Sequence, residues 1–136
     1  MRCSCAIAVA ALLLCGVAQA ETPMTPPQGN GDAAVGVGMI CNTPDQAKRF
    51  IALQASGREP QAAMSAVNEE AKDSRACVVA AVAFIRAETV DTQEMHNKLV
   101  QVVRINVVAG FEGHVWQPVN NMTQYAVIEG GGGDSI

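Results

Sequence analysis

Residues 99–109 read LVQVVRINVVA, and this stretch decides the fold class. Five Val and one Ile in eleven residues favour a strand, because branching at Cβ suits a pleated backbone and loses rotamers in a helix. Gln101, Arg104 and Asn106 are interspersed among them. Upstream, Cys77 to Ile85 (CVVAAVAFI) has the same character, and its length suits a strand covered on both faces. The alanines at 80, 81 and 83 leave a helix open over residues 76–87. Downstream, Gly110-Phe111-Glu112-Gly113 reads as a turn and His114 to Val119 as a return strand, with Pro118 suggesting a sheet edge. Asn120-Asn121 reads as a second turn and Met122 to Ile128 as the last strand.

Working back toward the N-terminus, two helices precede the strands. Thr43 can cap the first, Pro44 fits its opening position, and Gln46 completes a Thr-x-x-Gln capping box. Ala47, Phe50, Ile51 and Ala55 recur at helical spacing until Gly57 stops the helix. A second helix starts at Pro60, with Ala63, Met64, Val67 and Ala71 on its apolar face. The predicted order is α-α-β-β-β-β. That is an α+β domain of two N-terminal helices packed on a small antiparallel meander.

Composition and length bound the rest. The chain has 136 residues, 49% hydrophobic and 16% charged, which suits one domain over residues 39–129. Its net charge of −4 argues against a nucleic-acid partner, because such binding neutralises phosphates. Arg2, an apolar run from Ala6 to Leu14, and Ala18-Gln19-Ala20 together predict a signal peptide over residues 1–20. A periplasmic or secreted location follows, with no stable membrane span after its removal, since no later apolar run approaches about 18 residues. Residues 21–38, with three Pro and four Gly, read as a flexible leader that firms up as an extended segment near Val37 to Cys41, and the glycines of residues 130–136 as a disordered tail.

Cys3, Cys5 and Cys15 leave with the signal, so Cys41 and Cys77 remain as an even pair in an oxidising compartment. A bridge between them closes a 37-residue loop, and the loop-closure entropy is worth about 4 kcal/mol. Two buried thiols, or half of a metal site, are the alternatives.

Chemistry-bearing residues are sparse. His96 lies in a polar connection, Asp91 to Lys98, and His114 beside a strand end. No serine sits in a Gly-x-Ser-x-Gly elbow. Glu69-Glu70 reads as a solvated helix face, and Gly36-Val37-Gly38 precedes no phosphate-binding turn. Of the five aromatic residues, Phe111, Trp116 and Tyr125 cluster in the last third, as core or as a contact patch.

The segments Ile40-Cys41-Asn42-Thr43 with Gln46 and Phe50, Ala66-Val67-Asn68, Ala76-Cys77 and Val82-Ala83-Phe84 resemble a group of small exported bacterial proteins of uncharacterised function. The resemblance covers about residues 39–110. It implies export and a two-cysteine bridge and carries no activity or catalytic residue. The function expected is a non-catalytic exported binding module that uses Phe111, Trp116 and Tyr125. Its partner is an unidentified protein or small molecule of the cell envelope, and no cofactor or metal is expected. The strand over residues 114–119 is the candidate contact edge. The alternative is a small hydrolase or metal-dependent enzyme built on His96, His114 and a carboxylate such as Glu94 or Glu112.

Overall fold

A computed structural model of the chain describes residues 33–130. The expected signal peptide, most of the leader, and residues 131–136 of the tail lie outside the described residues. In order, the elements are β1 (Ala34–Cys41), α1 (Pro44–Ala55), α2 (Pro60–Ala71), β2 (Cys77–Met95), β3 (Lys98–Glu112) and β4 (Val115–Glu129). The strands form one antiparallel sheet in the order β1-β2-β3-β4, which curls until β4 meets β1. Two helices on an antiparallel sheet is the α+β architecture expected. The helices are not N-terminal, however, because a strand comes first.

That strand was hidden by its glycines. Val35 and Val37 alternate with Gly36 and Gly38, whose loop chemistry predicts an extended segment only near Val37 to Cys41. All eight residues of β1 instead pair with β2, from Ala34↔Phe84 to Cys41↔Cys77. This pairing, with β3 on the other side of residues 82–86, holds residues 76–87 extended despite their alanines.

The strands are also longer and fewer than the turn residues suggested. The polar connection Asp91 to Lys98 is mostly strand: β2 runs to Met95, and a two-residue turn at His96-Asn97 returns the chain. Both turn residues have positive φ (51° and 63°), the geometry of a hairpin turn that matches strand twist. The polarity there marks a half-exposed ribbon and not a loop. Similarly β3 continues to Glu112, and the turn is Gly113-His114, φ 55° and 72°.

Asn120-Asn121 is not a turn, and the separate strands expected on either side are one strand, β4. Val107 pairs with Met122 but Ala109 with Pro118, so residues 119–121 together oppose Val108. The two asparagines sit in a bulge, where extra residues bend a strand without ending it. Neither adopts the positive φ that a tight hairpin would require.

The helical hairpin forms as its sequence dictates. Thr43 Oγ1 accepts the Gln46 N–H at 3.2 Å, and Gln46 Oε1 accepts the Thr43 N–H at 3.1 Å. Ala47, Phe50, Ile51 and Leu53 of α1, with Ala63 and Val67 of α2, are buried against Met39, Cys41, Cys77, Val100 and Val102 on the outer face of the sheet. A second apolar cluster fills the inside of the curled sheet, around Val82, Phe84, Val103, Ile105, Val107 and Ala126. The Cys41–Cys77 disulfide, Cα–Cα 4.1 Å, joins β1 to β2 beneath the helices.

Candidate functional site at the open seam of the barrel

The sheet closes on itself through only two residue pairs, Ile40↔Ala126 and Cys41↔Tyr125. Among the described residues, β1 pairs with nothing across the seam from Ala34 to Gly38. Directly opposed antiparallel residues that exchange no hydrogen bonds lie about 4.5 Å apart at Cα, against about 5.5 Å for bonded pairs. The 4.1 Å of Cys41–Cys77 marks a non-bonded pair. The alternation then aims the N–H and C=O of Cys41, Met39, Val37 and Val35 away from β2 and toward the seam. Cys41 meets Tyr125 there. The pairing of Ile40 with Ala126 sets the Val127 N–H against the Met39 C=O, and beyond it, among the described residues, Val37 and Val35 pair with no strand on that side.

This edge carries none of the usual protection. Natural edge strands are blunted by charge, proline or a bulge; the sequence AVGVGM over residues 34–39 has none of these. The outward side chains are apolar and open: Val35 is 46% exposed, Val37 63%, and Val79 on the adjacent β2 59%. Met39 and Val79 pair in register and extend this surface toward the helices. There it runs into a groove of about 280 Å³ between β1 and the end of β4, lined by Met39, Phe50, Pro60, Val100 and Val127, with Gln54 and Glu129 at its border.

The other free edge is on β4. Residues 115–124 pair with β3 alone, so the expected contact strand 114–119 does lie at an edge. It is a guarded one. Pro118 lacks an N–H, and the bulge at residues 119–121 breaks its regular spacing. Beside it a second groove, about 300 Å³, opens into the barrel. It is lined by Ile40, Val78, Val82, Val107 and Met122, with Asn42, Arg75 and Gln124 around it.

The three aromatic candidates do not form one patch. Phe111 and Trp116 pair across the β3–β4 hairpin, ring centroids 5.2 Å apart and tilted by 57°. That tilted geometry is favourable for two quadrupolar rings. Tyr125 lies at the closed part of the seam, opposite Cys41 and Arg104, and packs on the cluster beneath the helices. Nine positions of β4 and a bulge separate it from Trp116.

The titratable candidates are likewise dispersed. His96 and His114 occupy hairpin turns at opposite ends of β3, whose fifteen residues span about 50 Å of contour. Glu94 lies near the first turn and Glu112 near the second, so no shared centre forms. No group of three or more His, Cys, Asp or Glu side chains is placed to hold a metal among the described residues. Glu70 is held by Arg49 across the two helices through a 2.9 Å ion pair, and the Arg49 hydrogen bond draws its carboxyl below the ordinary value. Arg104 donates to Glu88 at 2.7 Å with the same effect on that carboxyl.

The elements therefore define a four-stranded antiparallel barrel with a helical hairpin inserted after its first strand, open along most of the β1–β4 seam. No protein family, characterised protein or solved structure matches the chain. Among the described residues, no helix is long and apolar enough to cross a membrane.

Most of the β1 edge falls in the segment whose Pro and Gly content predicts a flexible leader, so its pairing is not expected from the sequence. The signal that would have found it is the period-two alternation of Val35 and Val37, continued by Met39 and Cys41.

Proposed function

We propose that this protein is a non-catalytic, exported interaction module that meets its partner along the open seam of the barrel. The observation that carries this reading is the contiguous exposed apolar surface of Val35, Val37 and Val79 beside a strand edge that carries no charge, proline or bulge. Exposed apolar patches on a small domain mark contact surfaces more often than chance. Export is supported by the charge and hydropathy of residues 1–20 and by the resemblance to small exported bacterial proteins. The Cys41–Cys77 bridge is compatible with an oxidising compartment.

A photo-crosslinking residue introduced at Val37, and separately at exposed Glu69 on α2, tests the reading in intact cells. A discrete envelope adduct from position 37 and none from position 69 is expected. Equal labelling at both positions, or none at 37, would overturn it.

A further inference from the structure

We propose that β1 binds an extended polypeptide segment of its partner, which adds as a strand along residues 34–39; this rests on the interaction-module reading above and names its ligand class. The N–H and C=O groups of Val35 and Val37, with the N–H of Met39, face the seam and pair with no strand among the described residues. They recur every second residue, about 6.6 Å apart. Only another extended backbone presents donors and acceptors at that repeat, so the edge itself specifies the chemistry of its ligand.

The side-chain environment fits the same occupant. Alternation puts Gly36 and Gly38 on the face shared with buried Ile40, toward the inside of the barrel. Glycine inside a strand marks a place where a neighbour comes close. An added strand can turn large apolar side chains over these two positions without displacing any from β1. On its other face, alternate side chains meet Val35 and Val37 and reach the groove beside Met39 and Phe50.

A second copy of the chain suits the site less well. The groove is walled by β1 on one side and by Val127 and Glu129 of β4 on the other, with Phe50, Gln54 and Pro60 of the helical hairpin bordering it. A single strand enters such a slot. A β1 from another copy brings its own β2 along its whole length.

The test uses the purified protein and a pool of octapeptides that alternate randomised apolar and polar residues. The strongest binder is then resynthesised with its alternate amides N-methylated. Hydrogen exchange of the Val35, Val37 and Met39 amides should slow at least about tenfold on binding. N-methylation should abolish both binding and protection. Val37→Pro, which removes an N–H that β2 does not use, should lose the peptide as well. Val37→Lys alters only an exposed side chain, so it serves if the proline variant fails to fold, and it should weaken binding. Three results overturn strand addition: no peptide in the pool binds, the N-methylated peptide binds equally well, or the peptide binds without protecting these amides. Concentration-dependent dimerisation that protects the same amides without peptide also overturns it, in favour of a second copy. An adduct at position 37 in cells that accompanies any of these outcomes leaves the module reading standing and removes only the strand.

Discussion

The side chain of Asn68 acts as a strand partner for the backbone of Cys77. Its Oδ1 accepts the Cys77 N–H at 2.8 Å, and its Nδ2 donates to the Cys77 C=O at 3.1 Å and to the Ser74 C=O at 3.0 Å. At Cys77, β3 offers no partner, because its pairing with β2 reaches only Val82, and β1 faces Cys77 as a non-bonded pair. The first residue of β2 would otherwise carry a buried, unpaired peptide group. One carboxamide on α2 thus fixes where the strand begins and where the disulfide sits.

Asn68→Ala should therefore cost about 1–3 kcal/mol, since it strands a buried donor and acceptor as well as removing bonds. For a domain of this size the melting temperature should fall by roughly 4–8 °C per kcal/mol. Asn68→Asp keeps the acceptor and loses the donor, and should fall between the two. Denaturant titration of the disulfide-intact proteins checks the order. A loss for Asn68→Ala no larger than for an exposed position such as Gln61 would refute the role.

The bridge makes a second, larger prediction. Replacing Cys41 and Cys77 together by Ala frees the 36-residue separation between them in the unfolded chain and should cost about 4 kcal/mol. Against a typical total of about 5–15 kcal/mol, the variant should be marginal at 37 °C. Mature protein, cleaved after Ala20 and denatured without reductant, should show no free thiol, and mass analysis should give one bridge.

What the sequence revealed about this fold was what its residues decide locally. Thr43, Pro44 and Gln46 form a cap among themselves, so the start of α1 could be placed to the residue. Lengths and edges were not legible, because distant partners decide them. Asn120-Asn121 has turn chemistry, yet β3 pairs on both sides of it and pulls it into a bulge. Gly36 and Gly38 have loop chemistry, yet eight pairs to β2 make them strand. The candidate site was misread for the same reason: the openness of β1 follows from where β4 diverges from it, at Tyr125–Ala126, and no local pattern records that.

Trp116 distinguishes a core residue from a surface one. It is half-buried and packs on Phe111 at the end of a hairpin. Trp116→Ala should destabilise by about 1–2 kcal/mol, because an aromatic pair contributes about 0.5–1.5 kcal/mol beyond its area. A fully buried tryptophan would cost about 3–5 kcal/mol. A measured loss in that higher range would move Trp116 into the core and away from any contact role.

Acid should weaken the protein through two surface carboxylates. Glu70 and Glu88 are both held below the ordinary value of 4.5, first by hydrogen bonds from Arg49 and Arg104 respectively. A lowered carboxyl contributes stability that is complete above its unfolded pKa and is lost as pH falls through the lower folded value. Unfolding free energy should therefore begin to decline near pH 4.5 and continue below it. Glu70→Gln with Glu88→Gln should flatten that decline, and because both pairs are exposed the effect should shrink in high salt. An unchanged acid slope in the double variant would show that neither ion pair persists in solution.

The first hairpin offers a gain rather than a loss. His96 and Asn97 both hold positive φ, 51° and 63°. A non-glycine residue pays strain there unless it is Asn or Asp, which tolerate the left-handed region best. Asn-Gly is the preferred pair for such a two-residue turn. His96→Asn with Asn97→Gly should stabilise by about 0.5–1 kcal/mol, a shift measurable by thermal melting. The opposite change, Asn97→Val, sets a β-branched side chain against positive φ and should destabilise by at least as much. If His96 instead took part in a function, the stabilised variant would lose that function while melting higher. If β1 carries the contact, crosslinking from position 37 should be untouched, because the turn follows Met95 at the rim of the groove and pairs with no residue of β1. Loss of the position-37 adduct in the stabilised variant would extend the contact along the groove, past Met95, to the hairpin.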